Sequence, residues 1–381
     1  MRDLLAATHL RLGRGGPFLG LLRRLRLRRD GSEEIRRAIL VMLAAIWVPF
    51  VLLELASREA VPLRTDLAVH TRLLVSVPLL YWADVMLHEL CALSIEDFTE
   101  RRVASSERRE RLPDALALAE RLRGSALAEL VCLALALLTG HASTLAAPAQ
   151  AMLTPGHSEI VTARWLWTSY IAVPVFAFLL LRALWRWLIW CWLLWRFSRV
   201  KARLVPTHPD GCGGLALLAM PGRAFAIILA AVGAAVAGKW GAEILRGATA
   251  NLRSYGGSLG VLVAIALAVG LGPLLAFSGQ LFSARLIGLE RYGHFALDYT
   301  TGFDDRWIAH AREDDLLGNA DIQSLADLGN SYRTVQDMRV VVFGRRDLVI
   351  LVAGLLLPIL PLVLTVVPLS ALLKKVTQAV L

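Results

Sequence analysis

Residues 164–197 read RWLWTSYIAVPVFAFLLLRALWRWLIWCWLLWRF, thirty-four residues with four charges and no period-two alternation of apolar and polar positions. As one helix such a run would measure about 50 Å, against a hydrocarbon core of about 30 Å. In lipid every backbone N–H and C=O needs a partner within the chain, which leaves helices or closed barrels, and continuous apolar runs choose helices. The run must therefore tilt, kink at Pro174 or project from the membrane. Trp185, Trp187, Trp190, Trp192 and Trp195 interleave with Arg182, Arg186 and Arg196. That is the pattern of an aromatic belt with snorkelling arginines at the inner interface; a ligand cage is the sharper alternative.

The same reading extends outward. The 381-residue chain is 56% hydrophobic with a mean hydropathy of +0.57, which excludes an ordinary soluble domain. Further apolar runs at 38–56, 70–90, 124–141, 215–240, 257–284 and 347–373 predict an all-α polytopic transmembrane helix bundle of about seven spans. The expected divisions are a basic cytoplasmic segment 1–37, a bundle 38–284, a cytoplasmic helical segment 285–346 and a last Pro-rich span with tail, 347–381. Within the bundle, 91–123 reads as a cytoplasmic hairpin broken at Pro113, and 198–214 as a cytoplasmic loop. Pro358, Pro361 and Pro368 leave open a re-entrant hairpin in the last run, which would give six spans.

Charge orients the bundle. Ten arginines precede residue 38, and segments 92–123 and 285–346 carry seven and eight basic residues, against Arg58 with Arg64 and Arg246 with Arg253 in two intervening loops. The positive-inside rule places the N-terminus in the cytoplasm. Thirty-seven of the 41 basic residues are Arg, a usage that fits a GC-rich bacterial coding sequence and hence a bacterial inner membrane. Residues 17–29, PFLGLLRRLRLRR, fit a positive-inside anchor or an interfacial helix. Cys91, Cys132, Cys191 and Cys212 lack CxxC spacing, so neither disulfides nor a zinc knuckle are expected. No uninterrupted apolar core precedes residue 38, so no cleavable signal peptide is expected.

Ionisable residues inside a membrane are costly and so draw functional hypotheses. Asp84 and His88 lie within about two turns of the inner end of the second span and, four apart, share a face. Glu129, Arg182 and Arg223 fall in the same inner layer, Arg223 roughly 12 Å into its helix. Together these five could line a water-filled vestibule for an ion or proton relay; interhelical ion pairs that fix the packing are the competing reading. Helix breakers at Pro49, Pro78, Pro174, Pro221, Gly270-Leu271-Gly272-Pro273 and Pro358 suit a transporter or channel, although proline is common in membrane helices generally.

Between spans, THPDGCGG (207–214) offers His208 and Asp210 as two metal ligands, and the amides of Gly211 to Gly214, with Gly213 and Gly214 ahead of the next helix, as an anion cradle. Zinc wants three or four ligands, and Asp210 capping the next helix explains the same letters. The HPD letters also occur in J-domains, but here they lie between membrane spans without that domain. In 318–338, Ile322, Leu325, Leu328, Tyr332, Val335 and Met338 share one helical face, with Asn319 as N-cap; Asp321, Ser324, Asp327 and Asn330 lie opposite. This predicts an amphipathic helix layered under the membrane domain, or an interaction surface.

The combination of RLVPTHPDGCGGL, GNADIQSLADLGNSY and LPILPLVLTVVPL resembles a family of uncharacterised bacterial polytopic inner-membrane proteins. The resemblance implies the topology above and directs attention to His208, Asp210, Asp321, Gln323, Ser324 and Asp327; it implies no substrate. No HExxH, P-loop, dinucleotide fingerprint or nucleophile–base pair appears, so the sequence leans away from an enzyme and calls for no cofactor, resident metal or nucleic acid. The expectation is a channel or transporter-like protein with a cytoplasm-facing vestibule. The alternative is a non-transporting scaffold or signalling component with a protein partner on its cytoplasmic face. Lipid is the expected surrounding, and a homo-oligomer is compatible with either.

Overall fold

The computed structural model describes residue 20 and residues 32–56, 67–102, 111–146, 159–245, 252–309 and 320–365. The expectations for residues 17–29, the loop with Arg58 and Arg64, Arg246, Asn319 and the tail from 366 onward lie outside the described residues. All regular elements among the described residues are helical. Five helices are long and apolar enough to cross a membrane: Arg36–Ala56, Leu67–Glu100, Ala163–Ser198, Ala216–Leu245 and Gly256–Ile308. A sixth crossing results if Leu112–Arg123 and Ala126–Ala142, bent by 41°, count as one span. By helix length and hydropathy the chain is a multi-pass membrane protein.

We number the α-helical elements α1 (Ser32–Ala56), α2 (Leu67–Thr71), α3 (Val77–Asp97), α4 (Arg111–Arg123), α5 (Ala126–Ala146), α6 (Glu159–Trp167), α7 (Val173–Ser198), α8 (Gly222–Leu245), α9 (Gly256–Leu271), α10 (Ser278–Phe303), α11 (Ala320–Gln336) and α12 (Arg345–Leu356). Helices α3, α7 and α8 form the centre; α5 and α4 pack on α7, and α12 packs on α8. Close packing in a membrane needs small residues where backbones meet. A Cβ on Gly233 of α8 would strike the Leu355 carbonyl of α12, and one on Gly354 the Ala226 carbonyl of α8. Aromatic rings fill the middle: Trp187 stacks on Phe225 at 4.4 Å and Phe98 on Phe197 at 4.5 Å. The Trp187 indole is buried, and its N–H donates to the Val269 carbonyl at 3.1 Å.

The structure departs from the sequence reading in four places, each for a backbone reason. Pro174 does not interrupt the long fourth run: a π turn, Thr168–Ala172, precedes it, and the helix continues from Ala163 to Ser198. Pro78 is likewise preceded by a π turn, Arg72–Ser76. Because proline lacks an N–H and its ring crowds the carbonyl four residues back, widening the turn before it relieves both problems. Pro113 does not break a hairpin; it lies in the first turn of α4, where no amide hydrogen is needed. The seventh span is absent as a spanning helix among the described residues. There the final run gives a twelve-residue α12, about 18 Å long, which stops ahead of Pro358 and gives way to a 3-10 turn, Leu360–Thr365.

At the end of the bundle that carries residues 199–215, here the loop end, α9 continues through a 3-10 turn, Gly272–Phe277, into α10. The Gly270–Pro273 break thus leaves one helical rod from Gly256 to Ile308. The amphipathic helix α11 packs on α10 to make a helical hairpin. Leu328 and Val335 are buried in that contact as the periodicity predicts, whereas Ile322 is exposed.

Candidate functional site

Three helices bring four ionisable side chains together in the membrane region. From α7, Arg182 reaches two carboxylates: its Nη1 donates to Asp84 Oδ2 of α3 at 2.8 Å and its Nε to Glu129 Oε1 of α5 at 3.1 Å. One turn on, Arg186 Nη1 donates to the other Asp84 oxygen, Oδ1. All four residues are buried. The i, i+4 spacing of the two arginines is what lets one carboxylate bridge them, and the formal charges cancel. Arg182 and Arg186 therefore do not snorkel. Beside the network lies a cavity of about 20 Å³ lined by Cys91, Ala119, Arg123, Arg186 and Trp190, among others, which is room for a single water.

The other two vestibule candidates differ in position. His88 is one turn beyond Asp84 on α3 and half-buried. Arg223 belongs to a different place: it lines a second cavity, about 10 Å³, together with Leu274 and Asp347 at the start of α12. The five residues expected to form one layer are thus divided, and Arg186, read from sequence as a belt residue, takes the place expected of Arg223.

The 207–214 loop is organised around one carboxylate. Asp210 Oδ1 accepts the N–H groups of Cys212 at 2.9 Å and Gly214 at 3.0 Å, and Oδ2 accepts that of Ala216 at 3.1 Å, where the next helical turn begins. His208 Nδ1 lies 2.9 Å from Asp210 Oδ1. Wrapping the backbone this tightly requires left-handed residues, supplied by Gly211, Gly213 and Gly214 with φ of 67°, 65° and 95°. The anion cradle is therefore filled by the chain's own Asp210. Partial burial opposes its ionisation, but the amides of Cys212, Ala216 and Gly214 hold its carboxyl below the usual value. Burial, reinforced by the Asp210 carboxylate, pushes the Cys212 thiol up to about 12.

Two further side chains, not singled out in the sequence, tie this loop down. Arg339, beyond α11, donates through Nη2 to the Asp210 carbonyl at 2.8 Å, and its own N–H donates to the Gly211 carbonyl at 2.8 Å. From α10, Gln280 donates to the carbonyls of Ser198 at 2.6 Å and Val200 at 3.1 Å and accepts the Ala202 N–H at 3.2 Å. A glutamine closing a long apolar run was the available signal. Its partners are backbone atoms about eighty residues away, which no local pattern shows.

In α11 the motif residues divide. Asp321 faces α10: it accepts the Trp307 indole N–H at 3.0 Å and pairs with Arg306 at 3.2 Å, while its carbonyl accepts the Tyr299 hydroxyl at 3.1 Å. Gln323, Ser324 and Asp327 are exposed on the other side, with Gln323 Nε2 donating to Asp327 Oδ1 at 3.1 Å. Among the described residues no three His, Cys, Asp or Glu side chains gather as a metal site. Comparison with protein families, curated proteins and solved structures finds no match.

Proposed function

We propose that the chain is a membrane scaffold, a non-transporting or signalling component whose loop-end hairpin, α10 with α11, presents a surface for a partner. The observation that supports this most is the fate of the membrane charges. Asp84, Glu129, Arg182 and Arg186 pair with one another across α3, α5 and α7, and their formal charges balance, as in packing-fixing ion pairs. Meanwhile Asp321 is used to close the hairpin, leaving Gln323, Ser324 and Asp327 facing outward. The distribution of basic residues supports a cytoplasmic position for this end, and a bacterial inner membrane is part of the same proposal. Photo-cross-linking from position 324 in cells tests the reading. A defined adduct that disappears in Gln323→Ala/Asp327→Ala supports it; labelling unchanged by that pair of substitutions overturns it.

A second reading keeps the channel or transporter-like activity, resting on the water-sized cavity that adjoins the ion network and is lined by Arg123 and Arg186. Rearrangement of the paired carboxylates would then open a polar path. Ion or proton flux in proteoliposomes that is lost in Asp84→Asn/Glu129→Gln, in protein that still folds, would establish this reading over the scaffold.

A further inference from the structure

Arg182, Arg186 and Trp190 follow one another at four-residue spacing on α7 and so share a face. The two arginines meet the carboxylates of α3 and α5; the indole N–H of Trp190 meets no acceptor. Trp190 is 2% exposed, yet among the described residues that N–H makes no hydrogen bond, whereas the indoles of Trp167, Trp185 and Trp187, on the same long helix, each donate to a carbonyl. Arg186 is in a similar condition. Its guanidinium is a fork of N–H donors, of which Nη1 serves Asp84, while Nε and Nη2 have no partner among the described residues although the side chain is buried. These donors are not walled in by neighbouring atoms. Both residues line the cavity of about 20 Å³ between α3, α4 and α7.

That cavity is a space bounded by donors. Arg123, the half-buried last residue of α4, adds a second guanidinium to its wall, and no acidic side chain lines it. Cys91 contributes a thiol, a weak acceptor at best, and the remaining lining side chains are aliphatic apart from the Trp190 ring. A water could accept from these groups but would have to place two hydrogens of its own, and the lining side chains offer it no good acceptor. An anion accepts only. Buried donors left unmade are costly, and in a low-dielectric interior a negative charge held by guanidinium and indole N–H groups is bound more strongly than in water. Size narrows the class further: the volume suits one water-sized particle, which admits a monatomic anion and excludes an oxyanion.

We infer that the cavity between α3, α4 and α7 is a binding site for a single halide-sized anion, chloride in its commonest form, held by Arg186, Trp190 and Arg123. The anion takes the donors of Arg186 that Asp84 leaves over and ties α4 to the face of α7 that carries the ion network. The site stands whether the chain is a scaffold or conducts ions, since occupancy is an equilibrium property of the purified protein and flux is not.

The test is equilibrium binding of radiolabelled chloride to the purified full-length protein in detergent, with gluconate holding the ionic strength constant. One saturable site per chain is expected, emptied by bromide and indifferent to sulfate. Trp190→Phe, which removes the N–H and keeps an aromatic ring, and Arg123→Gln should each weaken binding about tenfold, the loss of one hydrogen bond to a charged group. Ala119→Leu, which fills the cavity from α4, should abolish it. Leu188→Ala, on the exposed side of α7, should leave it unchanged. No saturable binding to the native protein overturns the inference, and that result needs no variant to fold. Binding that sulfate displaces as well as bromide does, or that persists undiminished in Trp190→Phe, Arg123→Gln and Ala119→Leu, overturns it too.

Discussion

The membrane ion network and the 207–214 loop solve the same problem in opposite ways. Each holds an aspartate away from water by surrounding it with donors. Asp84 takes its donors from arginines about a hundred residues away on another helix; Asp210 takes its donors from backbone amides within six residues. A side-chain network across helices has large consequences when one partner is lost, because a full charge is stranded in a medium that cannot solvate it. A backbone wrap strands only neutral N–H groups, some of which water can reach.

The first way to break that comparison is Asp84→Leu, which leaves Arg182 and Arg186 facing each other without Asp84. A loss of about 3–5 kcal/mol is expected, read as failed membrane insertion or a collapse of thermal stability in detergent. Adding Glu129→Leu, Arg182→Leu and Arg186→Leu should recover most of it if the network only fixes packing; failure to recover would mean the charges serve something beyond the fold.

Next in size is Asp210→Ala, which removes the acceptor of three amides and should cost about 2–3 kcal/mol. In the native chain Cys212 is buried, with its thiol held up to about 12, and should resist alkylation at pH 8, whereas Asp210→Ala should expose it to the reagent. Rapid alkylation of native Cys212 would contradict the described loop. The effect of pH follows in sign. Asp210 has a folded value below its unfolded one, so its contribution is complete above about pH 4 and lost as pH falls through the lowered folded value. Unfolding followed between pH 5 and 2.5 should show native protein losing stability faster than Asp210→Asn.

A smaller effect, about 1–2 kcal/mol, is expected for Gln280→Ala, since three backbone groups of 198–202 lose a neutral side-chain partner. Gln323→Ala should change stability by no more than about 0.5 kcal/mol, so any loss of cross-linking at position 324 would report binding rather than folding.

How much of this was legible follows the same division. The helical class, the spans that include Arg164–Phe197 and Leu215–Trp240, and the buried face of α11 could be read because periodicity and apolar length act locally. The loop was half legible: the positive-φ positions announced themselves as glycines, but that the anion in the cradle is Asp210 depends on the path of the backbone. The ion network was legible as a set of costly residues, not as pairs. Arg186 and Arg223 are both arginines within apolar runs, and only the rotation of α7 and the placement of α8 decide which one meets Asp84. Among the described residues the last run gives no spanning helix, because hydropathy does not register that Pro358 and Pro361 each remove a backbone donor.

That rotation leads back to the π turns at Arg72–Ser76 and Thr168–Ala172. Each amounts to an α-helix holding one surplus residue, one standing upstream of Asp84 in the α3 span and the other upstream of Arg182 and Arg186 in the α7 span. Removing a single residue from either would turn everything after it by about 100°, swinging Asp84 or the Arg182–Arg186 face away from its counterpart without altering any charged side chain. The two insertions therefore set the angular phase of the helices against each other, much as a keyway fixes the angle of a shaft.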